Sequence, residues 1–322
     1  MRALRITITS VLLGASCFSA AAQGYPERPV RLVVPYPVGG PADIFARVVA
    51  QSLSSAWRGS VVVENRPGGN GIPAAQYASR AAADGYTILM TDPATMAMNL
   101  ALYSKLPYDA EKDFVPVINM FQFSCVLFAN AGVPANSFPE LVALAKAKPD
   151  TITYASFGMG SFTHLHQEEL NARAGIRLHH IPYKGAGDVV PALMGGHVQL
   201  ALTGYIAAAP GLRDGKLKAL AIASPKRLPQ LPDVPTFAEL GIPFTCASWI
   251  GLGVPAGTPK PIVDKIAADV GKAISAPEFQ QKYISGLGFE LLNVPGERFA
   301  EFLKKERESY SAYVKRVNVK LD

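Results

Sequence analysis

The sequence predicts an α/β protein of two lobes that face each other across a ligand cleft and are joined by two crossing strands. Three observations predict it. Short apolar runs rich in β-branched residues alternate with amphipathic runs of helical spacing along most of the chain. Glycine-bearing turns follow several of these strands and lead straight into helix starts. Two apolar passages, 121–128 and 248–255, stand where the chain would leave one lobe and return, which makes a hinge.

The N-terminus reads as a secretory signal peptide over 1–22. Met1, Arg2 and Arg5 form a charged head, 6–18 an apolar run, and Ala20-Ala21-Ala22 a small-residue cleavage site before Gln23. Cys17 follows Ser16, but Gly14 stands where a lipid-attachment motif needs an aliphatic residue, so lipidation is the lesser reading. No later run is apolar for long enough to span a bilayer. The formal net charge of +6 falls to about +4 without Arg2 and Arg5. Lys and Arg are scattered, without the basic runs and interleaved aromatics of nucleic-acid binders.

The first lobe opens on Val30-Arg31-Leu32-Val33-Val34, a buried strand stopped by Pro35. Gly39-Gly40 allows a sharp turn, and Asp43 starts an amphipathic helix. Strand 61–65, a Gly-rich loop 66–71 and a helix from Pro73 to Ala82 follow. Strand 86–90 ends on Thr91-Asp92, with a hydroxyl and a carboxylate beside another helix start.

The second lobe begins after the passage 121–128. Ser137-Phe138-Pro139-Glu140 opens a helix by the capping-box spacing, and 151–155 is a strand. Ser156-Phe157-Gly158-Met159-Gly160-Ser161 then turns into the helix that carries His164. A third turn of this kind, Tyr183-Lys184-Gly185-Ala186-Gly187, follows strand 178–182. Strands 198–202 and 216–223, a proline-rich link 225–235, the return passage 248–255, helices 260–274 and 296–317, and a short strand 287–292 complete the chain. The repeated device gathers unpaired amides and positive helix-dipole ends, which suits an anion.

Enzyme chemistry has no motif to stand on. There is no G-x-S-x-G elbow, S-x-x-K pair, phosphate-binding P-loop or H-E-x-x-H pair. His164 and His166 are two apart on a helix, and His179 and His180 are adjacent on a strand, so each pair diverges. A metal site from these or His197 is a minority reading, and no cofactor is expected. A hydrolase or isomerase acting on a carboxylated substrate would need a nucleophile–base pair or a metal in the cleft, and a ligand sensor for a signalling partner would share the same cleft.

Several words of the chain resemble one family. They are Tyr25-Pro26-Glu27-Arg28-Pro29-Val30, Pro35-Tyr36-Pro37-Val38-Gly39-Gly40-Pro41-Ala42-Asp43, Glu64-Asn65-Arg66-Pro67-Gly68, Asp84-Gly85-Tyr86-Thr87, Ile181-Pro182-Tyr183-Lys184-Gly185 and Pro235-Thr236-Phe237-Ala238-Glu239-Leu240-Gly241. In this order they resemble the substrate-binding proteins of tripartite tricarboxylate transporters, the Bug or tricarboxylate-receptor family. The resemblance implies the type II periplasmic-binding-protein fold, a periplasmic location, capture of a small carboxylate, and delivery to two membrane subunits. It places ligand contacts on Tyr36, Val38, Gly39, Gly40 and Asp43, on Thr91 and Asp92, and on Ser156, Gly158, Gly160, Ser161 and His164. It adds Tyr183, Lys184, Gly185 and Ala186, with Thr203 at the end of a neighbouring strand. Two departures stand out: Ala74 where the family has a further glycine, and Thr203 where it often has Asp. The second disfavours a ligand ammonium and hence an amino acid.

The expected division is 23–123 plus 248–322 for one lobe and 124–247 for the other, in a monomer. Across the cleft, the 35–43 and 156–161 loops are expected to share one ligand carboxylate. Removal of Cys17 with the signal peptide leaves Cys125 and Cys246, one on each inter-lobe passage. A disulfide and two buried free thiols are equally compatible with that placement.

Overall fold

The computed structural model describes residues 24–39, 41–317 and 321. The expected signal peptide with Cys17, and Gly40 of the first turn, lie outside the described residues.

The strands are β1 Val30–Val34, β2 Val61–Asn65, β3 Thr87–Thr91, β4 Phe114–Asn130, β5 Thr153–Ser156, β6 His179–Pro182, β7 Leu200–Gly204, β8 Leu217–Ile222, β9 Ala247–Pro255 and β10 Phe289–Pro295. The helices are α1 Pro41–Trp57, α2 Ile72–Ser79, α3 Asn99–Leu102 behind a π-turn at Ala94–Met98, α4 Phe138–Ala147, α5 Phe162–Ala174, α6 Ala186–Met194, α7 Tyr205–Arg213, α8 Lys260–Ser275, α9 Pro277–Gln280 and α10 Gly296–Val317. The strand order is β2-β1-β3-β9-β4-β7-β5-β6, with β8 and β10 also paired to β4.

One strand serves both lobes. The first part of β4 pairs antiparallel with β9, from Phe114 opposite Pro255 to Ser124 opposite Ala247. From Cys125 onward it pairs with β7, and from Val126 with β8. The passage expected at 121–128 is thus the middle of a single 17-residue strand. Where the partners change, Cys125 accepts from the Ala223 amide at 2.8 Å and donates to the Cys246 carbonyl at 2.8 Å. Cys125 and Cys246 are also joined there as a disulfide, with Cα atoms 5.4 Å apart.

Alternation along the strands splits each lobe's core into two layers, as the two-residue period demands. In the first lobe Val30, Leu32 and Val34 pack under α1 and α8, while Val33 faces α2 and α10. Helix α1 meets the sheet through Phe45, Val49 and Leu53, with alanines between them at the i+4 spacing of a buried stripe. Burying side chains of this size contributes roughly 1.5–3 kcal/mol each. In the second lobe Cys125 and Leu127 face α4 and α5, and Val126 and Phe128 face α6 and α7. Tyr310, Tyr313 and Val314 of α10 join the first of these layers, so the C-terminal helix spans both lobes. At α4 the Ser137 hydroxyl accepts from the Glu140 amide and the Glu140 carboxylate accepts from the Asn136 amide, a reciprocal cap.

Differences from the sequence expectations are local. Helix α7 lies between strands 198–202 and 216–223, where no element was expected. Pro210 sits inside the helix, and Gly211 lets it press on β8, where a Cβ would come within 2.6 Å of Leu217. Helix α2 spans 72–79 rather than 73–82, and β10 begins at Phe289 rather than 287.

Candidate functional site

The turn after β1 is held from within. Gly39 takes φ +85°, open to glycine but costly for other residues. Its amide donates to the buried Asp43 carboxylate at 2.9 Å, and that carboxylate also accepts from Arg47 and from the Asn65 side-chain amide, each at 2.9 Å. Burial opposes ionisation of Asp43, but the hydrogen bonds from Arg47, Gly39 and Asn65 outweigh it and hold the carboxyl below its ordinary range. Asp43 therefore fixes the turn. Val38 at its tip is 69% exposed, a large apolar side chain left at the edge of the cleft.

The end of β3 is similarly closed. The Asp92 carboxylate accepts from the Thr95 amide at 2.8 Å, the Thr95 hydroxyl at 2.7 Å and the Tyr36 hydroxyl. Burial pushes its carboxyl up, against the pull of those donors. Thr91 is buried with its hydroxyl against the backbone of Gly251, where a Cβ would come within 2.9 Å of it.

In the second lobe the polar atoms of the 156–161 loop bond chiefly to one another. Ser156 Oγ donates to the Gly158 carbonyl at 3.0 Å and lies 2.6 Å from His180 Nε2. Ser161 caps α5 by accepting from the His164 amide at 3.3 Å. His164 Nδ1 accepts from the Gly160 amide at 3.0 Å, which requires the neutral ring with its proton on Nε2. The His164 ring stacks on His180 at 4.1 Å, and His180 on Tyr154 at 4.8 Å. Sequence reasoning did not bring His180 to this site, because it lies on a different strand from the loop it supports.

Between the lobes lies a cleft of about 740 Å³, part of it open to solvent. Tyr36, Pro37, Val38, Ala42 and Asp92 line it from the first lobe, and Gly185, Ala186, Gly187 and Thr203 from the second. Three helix starts meet there: Ala42 on α1, Ala186 and Gly187 on α6, Ile206 and Ala207 on α7. Early-turn amides have no partner within their own helix and point along its axis. An adjoining space of about 770 Å³ is lined by Gly158, Met159, Ser161, Tyr183 and Lys184. The two spaces share Tyr36, Phe157 and Phe162. Beside the second, the Asn70 side-chain amide donates across the cleft to the Met159 carbonyl at 3.2 Å.

Lining residues outside the expected set include Phe123, Phe162, Trp249 and Phe289. Three of them lie on the crossing strands or on β10 beside them. The signal in the sequence was the clustering of aromatics at the points where the chain changes lobes.

A family model described as the tripartite tricarboxylate transporter family receptor matches residues 45–319. The chain belongs to this family. Protein BugT of Bordetella pertussis is 33% identical over 303 residues, covering 94% of this chain and 93% of its own. The structure of Rpa4515 from R. palustris with adipate superposes at a TM-score of 0.88 with 31% identity, over 92% of this chain and 99% of the other. MatC from Rhodopseudomonas palustris with bound malate gives 0.84 and 31%, over 90% and 100%. The two-lobe α/β binding-protein fold expected from the sequence is the fold of this receptor family, whose members bind solutes and are not enzymes. Among the described residues no helix is long and apolar enough to cross a membrane.

Proposed function

We propose that this receptor is exported to the periplasm by its first 22 residues, captures a small carboxylate between its lobes and hands it to the membrane subunits of a tripartite tricarboxylate-type transporter. The observation that carries the reading is the convergence of three helix starts, at Ala42, Ala186 and Ile206, on one cleft. The adipate and malate of two relatives support the ligand class. The jaws are 23–123 with 248–322, and 124–247, working as a monomer.

In this reading the turn 36–43 and the starts of α6 and α7 hold the carboxylate through backbone amides, with Thr203 beside them. The 156–161 loop, Tyr183 and Lys184 border the adjoining space and shape the approach, with the buried His164 holding that loop from behind. Asp43 and Asp92 act by fixing their turns, since both carboxylates already have donors. Among the described residues no lining carboxylate is free to meet an ammonium, which favours carboxylates over amino acids.

The test is calorimetric titration with a panel of carboxylates, amino acids and neutral sugars, with Trp249 fluorescence as a second readout. Carboxylates alone should bind, and Gly39→Val, which strains the turn, should abolish that binding while the ligand-free protein still melts in one cooperative transition. A panel in which only amino acids or sugars bind would overturn the proposal.

A further inference from the structure

The cleft walls are unlike those needed for a second anionic group. A continuous row of rings crosses it from lobe to lobe: Phe157 to Phe162 at 5.5 Å, Phe162 to Phe123 at 6.2 Å, and Phe123 to Phe289 at 5.4 Å. Phe123 and Phe289 are direct partners across β4 and β10, so the backbone register sets their pairing. Gly204, at the end of β7, makes room for the row, since a Cβ there would come within 3.0 Å of the Phe123 ring. Ile206 and Ile250 extend the apolar surface.

Among the described residues lining this cleft there is no Lys, Arg or His. Lys184 borders the adjoining space instead. Asp92, the cleft's sole carboxylate among those residues, is bonded to Tyr36 and Thr95. In the reading above, the helix-start amides are committed to one carboxylate. A second would lose its water against phenyl rings and a like-charged group, and a buried charge without a counter-charge or donors is strongly disfavoured.

Resting on the carboxylate reading above, we propose that the ligand is a monocarboxylate whose remainder is an uncharged apolar body, packed against the Phe123–Phe162–Phe289 row and Ile206. This separates the receptor from relatives whose structures hold adipate and malate, both of which carry two carboxylates.

Matched pairs test it on the intact receptor freed of co-purified ligand: hexanoate against adipate, and benzoate against terephthalate. In each pair one end changes from apolar or unsubstituted to carboxylate. The monocarboxylates should bind at least tenfold more tightly. Ile206→Arg, at a half-buried cleft position, should supply the missing counter-charge and shift both ratios at least tenfold toward the dicarboxylates, with melting curves confirming the fold. Equal or tighter binding of either dicarboxylate by the wild type overturns the inference and leaves the carboxylate reading intact. An unchanged ratio in folded Ile206→Arg also overturns it. Failure of all four acids to bind overturns the carboxylate reading and this inference with it.

Discussion

Trp249 Nε1 donates to the Glu306 carboxylate at 2.8 Å, tying the returning strand β9 to the C-terminal helix α10. Because Trp249 also lines the cleft, the bond joins the ligand space to the helix that spans both lobes.

Glu306 gives the first prediction. Burial raises its carboxyl above the ordinary range, and the indole hydrogen bond only partly offsets this. The folded protein therefore holds that proton more tightly than the unfolded chain. The resulting stability is full below the unfolded pKa and is lost as pH rises through the higher folded value. Glu306→Gln keeps an acceptor for the indole and removes the charge. The variant's melting temperature relative to wild type should climb from pH 4 to pH 8. A difference that is flat or falls with pH would contradict this account.

The stacked imidazoles give the second. Burial lowers both His164 and His180 to about 4, with His180 held down further by the neighbouring His164. Protonation is thus resisted in the fold, so their contribution is full above the unfolded value near 6.5 and is lost as pH falls through the folded value near 4. In histidine NMR spectra both rings should remain neutral at pH 6. A midpoint near 6.5 for either ring would refute the buried stack.

The disulfide gives the third. Closing a separation of 121 residues should stabilise the chain by about 5 kcal/mol on the chain-entropy model. Paired Cys125→Ala and Cys246→Ala substitutions should lower the denaturation midpoint accordingly, and alkylation of unreduced, denatured protein should label neither cysteine. Two labels per molecule would rule the bond out.

The fourth concerns Gly251. A Cβ there would stand 2.7 Å from Phe299, 2.8 Å from the Ile118 carbonyl and 2.9 Å from the Thr91 hydroxyl. The Ile118 carbonyl is backbone of the neighbouring strand and cannot swing away, and Phe299 and Thr91 are both buried. Gly251→Ala should cost about 1–3 kcal/mol by overpacking. A urea midpoint matching wild type would show that the strands can separate more easily than this packing implies.

Much of the fold was legible because its signals are local. The alternation of Val30 to Val34, the Ser137–Glu140 cap and the stripe of α1 each sit within a few residues of chain. The turns at Gly39 and Gly158 were legible for the same reason, since both adopt the positive φ that their glycines permit. What the hydroxyls of Ser156 and Ser161 bond to was not legible. Their partners include His180 and Thr163, and proximity to His180 arises only when β5 and β6 pair. Helix α7 was hidden by two residues that usually break helices, one of them present because the helix must approach Leu217 closely.

The place of β9 between β3 and β4 has a consequence for biogenesis. Strands β1 to β4 emerge first, yet β3 and β4 have no direct pairing to make until residues 247–255 arrive to lie between them. Strands β4 to β8, which follow one another in the chain, can pair among themselves before β9 is made. The lobe that carries the N-terminus must wait, with a gap in its sheet, for a strand made more than a hundred residues later. A chain of this topology thus leaves its earliest-made sheet incomplete until nearly four-fifths of its residues have been made.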